Sequence, residues 1–248
     1  MQKVIFHVPH DGTAMPSELM SSVCVPMEVF NFYQEKMRDN DVQKMVPLGY
    51  ESVCFNVSRL LCDVERFIGE GEPMEKFGMG FCYEKVYDGT VIKVVTPQLK
   101  EATEKYYWAH HRQMDGLAER YRKGLFLIDL HSFSDDIVVN CNETAPFSDI
   151  CLGYEEKYCG RGFVQLVDDI FRKAGYSVSH NVPYQGSFVP NAALNDGSIV
   201  CSSMMVEINR RLYRPCGITD ECEIVRLRTL LKQVAHEAES YSGKAAGG

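Results

Sequence analysis

No run in the 248-residue chain reaches the ~18 consecutive apolar residues of a membrane-spanning helix. The opening residues, Met1-Gln2-Lys3-Val4-Ile5-Phe6-His7, lack the apolar core and small-residue cleavage site of a secretory leader. Basic charge is not in excess either: 26 Lys and Arg stand against 34 Asp and Glu, for a formal net charge of -8. That argues against broad binding to nucleic acid or to an anionic membrane, although a local arginine cluster can still hold an anionic substrate. The 10 cysteines include no C-x-x-C pair and no dense framework. Free, mostly buried thiols in a reducing cytoplasm are the expectation. There is no internal repeat and no low-complexity linker. The H-E-x-x-H motif of many zinc hydrolases is absent. Gly69, Gly71, Gly78 and Gly80 do not form a G-x-G-x-x-G fingerprint opening a helix, so a nucleotide site is excluded. The 69–80 stretch reads instead as a lid or rim.

What is present alternates between strand and helix patterns. Leu125-Phe126-Leu127-Ile128-Asp129-Leu130-His131-Ser132 is an apolar run after Gly124, the pattern of a buried central strand. Its carboxyl end carries His131, at the place where open α/β sheets set their ligands. Lys3 to Val8 is a shorter strand that ends at Pro9-His10-Asp11-Gly12. His7 lies three residues before His10, and the pleat would send its side chain to the opposite face, so His10 ranks above it. A second strand is expected over Tyr50–Val57 and a hairpin around Asp88-Gly89. Helices are expected within Pro26–Val46, over Thr96–Lys123, Gly162–Ala174 and Ile224–Ala238. Further strands are read over Val138–Asn142, Tyr176–His180 and Ser202–Leu212, with a loop over Asp149–Gly153. His110 and His111 read as helix-surface residues. The sum is an α/β fold, with a single domain over 1–240 and a frayed tail over 241–248.

Four polar strand ends carry candidate chemistry. Ser58-Arg59-Leu60-Leu61-Cys62-Asp63-Val64-Glu65-Arg66 packs two arginines and two acids into one stretch. Read as a strand, it places Asp63 and Glu65 on one face and Arg66 on the other. Met204-Met205-Val206-Glu207-Ile208 plants an acid in an apolar strand, which is costly unless the acid is paired or metal-associated. A salt bridge from Glu207 to Arg210 or Arg211 is the plain structural alternative. His10, His131 and Asp63 (or Glu65) would make a zinc shell of two imidazoles and a carboxylate, with one position open for water. Glu207 would then be the base. The arginines at 59, 66, 210 and 211 could grip a substrate carboxylate in bidentate fashion.

Seven short stretches, in order, extend this. They are Pro9-His10-Asp11-Gly12, Ser58-Arg59 through Asp63-Val64-Glu65-Arg66, Tyr107-Trp108-Ala109-His110-His111, and Ile128-Asp129-Leu130-His131-Ser132. Asp149-Ile150-Cys151-Leu152-Gly153, Asn181-Val182-Pro183-Tyr184-Gln185-Gly186 and Glu207-Ile208-Asn209-Arg210-Arg211-Leu212-Tyr213 complete them. Together they resemble the N-formylglutamate amidohydrolase family, itself similar in fold to the zinc carboxypeptidases. The resemblance implies a mixed, mostly parallel sheet flanked by helices, of the phosphorylase/hydrolase-like kind. It implies a zinc-dependent enzyme that removes a small acyl group from an N-acyl amino acid such as N-formyl-L-glutamate. His10, Asp63 and His131 would hold the metal. Glu207 would act as base and Arg66 would steady the oxyanion, while Arg59, Arg210 and Tyr184 would bind substrate. The carboxypeptidase H-x-x-E pattern is departed from at Thr13. Glu65 stands where the family usually has Asn, and Ser187 where it has a second Gly. A short-peptide zinc carboxypeptidase and a non-catalytic anion binder on the same scaffold are the alternatives.

Overall fold

The computed structural model describes residues 1–69, 71–138 and 144–242. The strand expected over Val138–Asn142 and the tail expected over 241–248 lie largely outside the described residues. In chain order the elements are β1 (Lys3–Val8), α1 (Ser17–Met20), α2 (Met27–Met37), β2 (Glu51–Cys54), α3 (Pro97–Arg120), β3 (Leu125–Phe133) and β4 (Ile150–Gly153). They continue with α4 (Arg161–Lys173), β5 (Val178–His180), α5 (Asn191–Asn195), β6 (Cys201–Asn209) and α6 (Glu221–Ser240). The chain divides into two compact units. One comprises Met1–Val8, Asp41–Val53 and the chain from Met114; the other comprises Pro9–Asn40 and Cys54–Gln113. Among the described residues no helix is long and apolar enough to cross a membrane.

The first unit is built on a six-stranded sheet in the order β2-β1-β3-β6-β4-β5. β1, β3 and β6 run parallel, and β4 turns antiparallel to β6 while pairing parallel with β5. The sheet is therefore mixed and mostly parallel. β3 is buried along its whole length, which is why its sequence shows an apolar run and no alternation.

The pleat sorts the side chains onto two faces. On one face, Phe126 meets Phe163 of α4 with ring centroids 5.0 Å apart. α4 buries Phe163, Val164, Val167 and Phe171 along one stripe. α6 starts at Asp220, whose carboxylate caps the backbone N–H groups of Cys222 and Glu223, and it packs on β1 and β3. On the other face, Ile5, Leu125 and Leu127 pack with Met114, Leu117 and Ala118 from the end of α3. Farther along β3 that same face carries Asp129, His131 and Phe133. A face that is apolar at the start of the strands and polar at their carboxyl ends is what positions the site.

Two expectations need correction here. Asp149–Gly153 holds a strand, β4, where a loop was expected; four residues are too few for a pattern, and the pairing to β6 is what orders them. Residues 58–66 form turns instead of a strand. The N–H groups of Leu61 and Cys62 both donate to Ser58 O, at 2.9 and 3.1 Å, which closes the chain on itself. The hairpin around Asp88-Gly89 is reduced to a turn with one antiparallel bridge, Lys85 to Val91.

Gly153 is needed at the end of β4. A Cβ there would lie 2.3 Å from Met205 Cε and 2.4 Å from Gly186 O. Gly153→Ala should destabilise the protein by about 1–3 kcal/mol, read as a lower urea midpoint at unchanged slope.

Candidate active site

In the first unit the site grows from the carboxyl ends of β1, β3 and β6. The register sets His7 opposite Asp129 and His131 opposite Glu207. Asp129 and His131 are two residues apart on β3, so all four side chains leave the same face. Asp129 Oδ1 accepts from His7 Nδ1 at 2.8 Å and from His131 Nε2 at 3.1 Å. Its Oδ2 accepts from the Phe188 backbone N–H at 2.9 Å. Burial opposes the charge of this carboxylate. His131 and His7 outweigh burial and hold it well below the usual carboxylate range.

The 181–188 loop is stitched onto this face. Ser203 Oγ donates to Phe188 O at 2.6 Å, and the Cys151 thiol points at Tyr184 O at 3.3 Å. Tyr184 packs against Phe133 and Cys151. Cys151 is in turn the register neighbour of Glu207. His131, Glu207 and Tyr184 are thus brought to one face. Arg210 follows β6, is buried, and is fixed by its N–H to Phe133 O at 2.8 Å. Arg211 is committed elsewhere, to Asp135 at 3.0 Å and Asp149 at 2.9 Å.

The second unit gathers His10, Arg59, Asp63, Glu65, Arg66 and Tyr83. Asp63 is fully buried and its carboxylate is saturated. Oδ1 accepts from His10 Nε2 at 2.9 Å and Glu65 N at 3.1 Å; Oδ2 accepts from Arg59 Nη2 at 2.9 Å and Tyr83 Oη at 2.8 Å. Burial again opposes ionisation, and His10, Arg59 and Arg66 override it to leave Asp63 well below its ordinary range. Burial and Arg59 push the His10 imidazole down, but Asp63 and Asp39 raise it overall. Burial drives the Tyr83 phenol up to about 12, so it stays a donor. The His10 loop lies tight on its neighbours: a Cβ on Gly12 would come 2.4 Å from Phe55 O.

Asp63 was expected as the carboxylate ligand. With four donors on two oxygens it has its lone pairs committed. Glu65 Oε2 stands 3.8 Å from His10 Nε2, the nitrogen that Asp63 also meets. His7, ranked below His10 on strand parity, shares the Asp129–His131 face. β1 ends at Val8, so the pleat never reaches residue 10. His110 and His111 are buried, not on the helix surface. His111 bonds Val64 O at 2.8 Å and stacks on Tyr107, while His110 meets Phe55 edge-on.

The donors fit zinc. They are imidazole nitrogens and carboxylate oxygens, and His131 has a ring nitrogen held by a hydrogen-bonded carboxylate, as metal-binding histidines commonly do.

The model of the N-formylglutamate amidohydrolase family matches residues 2–214. The chain belongs to that family. A solved N-formylglutamate amidohydrolase from Ralstonia eutropha JMP134 is similar over 96% of this chain and 93% of its own, with 22% identity and a TM-score of 0.76. A gene product of Agrobacterium tumefaciens of known structure is similar over 96% of this chain and 90% of its own, with 14% identity and a TM-score of 0.59. At these identities the likeness is one of fold. No curated protein matches the chain.

The residue that sequence reasoning missed is Asp129. Its signal was available: an acid inside an apolar strand, two residues before His131, is the same anomaly that singled out Glu207. Cys151 beside Glu207 invites a nucleophile reading, which its chemistry excludes. Burial raises its thiol to about 11, so almost none is thiolate at neutral pH. Iodoacetamide at pH 8 should label the exposed Cys24, Cys216 and Cys222 in the native protein. Cys151 should be labelled only after unfolding, as read by peptide mass spectrometry.

Proposed function

We propose that this chain is a zinc-dependent amidohydrolase that cleaves a small N-acyl amino acid of the N-formyl-L-glutamate kind to a carboxylate and a free amino acid. The observation that carries the reading is Glu207. It is a buried acid in β6, in register with a histidine whose other nitrogen is held by a carboxylate. His10 and His131 are the proposed histidine ligands, with Glu65 replacing Asp63 as the preferred carboxylate. Zinc, when bound, would polarise water and the acyl carbonyl. Glu207 takes the proton from the attacking water and delivers it to the leaving amine. Arg66 steadies the developing oxyanion, and Arg59, Arg210 and Tyr184 orient the substrate and its carboxylate. Asp63 keeps Arg59 in place through its 2.9 Å ion pair.

The family match spans residues 2–214, which takes in segments of both units and supports reading them as one amidohydrolase domain, with the proposed boundary at 240. All nine described cysteines are free, which supports a reducing, cytoplasmic setting. The partner is a small molecule; the acidic balance supports neither nucleic acid nor membrane.

Metal analysis and release of free amino acid from N-formyl-L-glutamate test the proposal. The wild type should carry zinc and turn over, and His131→Ala should lose both. Glu207→Gln should keep zinc and lose about 10²–10⁴-fold in kcat. A wild type that takes up no supplied zinc overturns the metal role, and full turnover by Glu207→Gln removes the base. Faster cleavage of a short peptide than of the formyl substrate would move the assignment to a peptidase.

A further inference from the structure

We propose that Cys82 and Lys93 form a site of reversible oxidative modification, in which a peroxide links Cys82 Sγ to Lys93 Nζ through a sulfur–nitrogen bond. Both residues lie in the second unit, and neither takes part in the proposed reaction. The turn around Asp88-Gly89 brings them together. Ile92 N donates to Glu84 O at 2.9 Å and Lys85 bridges Val91, so Cys82 and Lys93 stand at the feet of the two legs.

Lys93 is 0% exposed, and a lysine is almost never fully buried unless paired. Among the described residues its Nζ meets Leu61 O at 3.3 Å and Cys82 Sγ at 3.7 Å, and no carboxylate. A buried charge without a counter-ion is costly, and burial pushes the Lys93 amine below its ordinary range. That favours the neutral amine, which is a nucleophile. Thr103 orients the sulfur. Its Oγ1 gives its one hydrogen to Leu99 O at 2.9 Å, so toward Cys82 Sγ, at 3.6 Å, it accepts from the thiol. Nitrogen and sulfur are thus held in van der Waals contact, close to the separation from which attack starts. Cys82 itself is 5% exposed, and Phe81 beside it lines a pocket of about 340 Å³ with Phe67, Glu72, Glu75 and Lys100. Hydrogen peroxide, little larger than water, fits such a space.

The chemistry balances in two steps. The Cys82 thiol takes one oxygen from hydrogen peroxide: the O–O bond breaks, an S–O bond forms, sulfur gives up two electrons, and water leaves. Lys93 Nζ then attacks that sulfur. The S–O bond breaks, an S–N bond forms, and the hydroxyl leaves as water with one amine hydrogen. The linked pair has lost two hydrogens relative to the reduced pair. A thiol reductant reverses the link by attacking the sulfur and releasing the amine. Cys62, whose thiol points at Thr103 O at 3.9 Å, is the competing partner for an oxidised Cys82. Lys93 is favoured over it because its nitrogen already contacts the Cys82 sulfur.

Peptide mass spectrometry on the full chain tests this. The reduced protein is treated with hydrogen peroxide while folded, its remaining thiols are alkylated, and it is digested with trypsin without reductant. Segments 77–85 and 86–100 should be recovered as one linked species, lighter by two hydrogens than their sum, with cleavage after Lys93 lost. Dithiothreitol should separate them and restore that cleavage. Cys62→Ser should keep the link and Lys93→Met should lose it. A Cys82 that ends as a sulfenic or sulfinic acid, or in a disulfide with Cys62, while Lys93 is still cleaved, overturns the proposal. So does a Cys82 that peroxide leaves unmodified. Should a variant fail to fold, the wild-type peptides decide.

Discussion

An ionised carboxylate in the middle of a parallel sheet is an expensive object. Moving one out of water costs several kcal/mol even after the protein relaxes. Asp129 bears that cost on the central strand of this sheet, between β1 and β6. Hydrogen bonds to a charged group contribute about 1.5–3 kcal/mol each, so its three donors are of the size needed to offset the burial. Any rearrangement that withdrew one of them would leave the charge poorly compensated. The register of β1 on β3, the seat of the 181–188 loop and the direction of His131 are therefore tied to one side chain.

Asp63 follows the same logic in the second unit. Four donors converge on it, from a histidine, an arginine, a tyrosine and a backbone amide. A group so occupied organises its neighbours more readily than it ligates an ion. The two candidate zinc histidines thus each lean on a buried acid held by several donors.

The sequence showed most clearly those elements whose cause is local. β1 and β3 follow from apolar runs and a bounding glycine, and α3 from Pro97 at its start. β6 was visible because an acid interrupted an otherwise apolar strand. The errors arose where the cause is tertiary. β4 is four residues long and owes its order to β6. Residues 58–66 were read as a strand because alternating charge suits a pleat, but turn hydrogen bonds from Ser58 decide otherwise. His110 and His111 carry no local sign of the rings that bury them. Individual site residues could be picked out one at a time. That Asp129 joins two histidines, and that Asp63 is already full, depends on pairs of residues far apart in the chain.

His7 and Asp129 are 122 residues apart, although they end side by side. A ribosome adding about 5–20 residues per second needs on the order of 6–24 s to travel that distance. Throughout that interval β1 lacks β3, and of its two sheet neighbours only β2 has been made. Nascent β1 must therefore stay solvated or shielded by the synthesis machinery until β3 emerges. The oxygen that meets both imidazoles arrives with β3, so this face of the sheet is set only once the middle of the chain has been made.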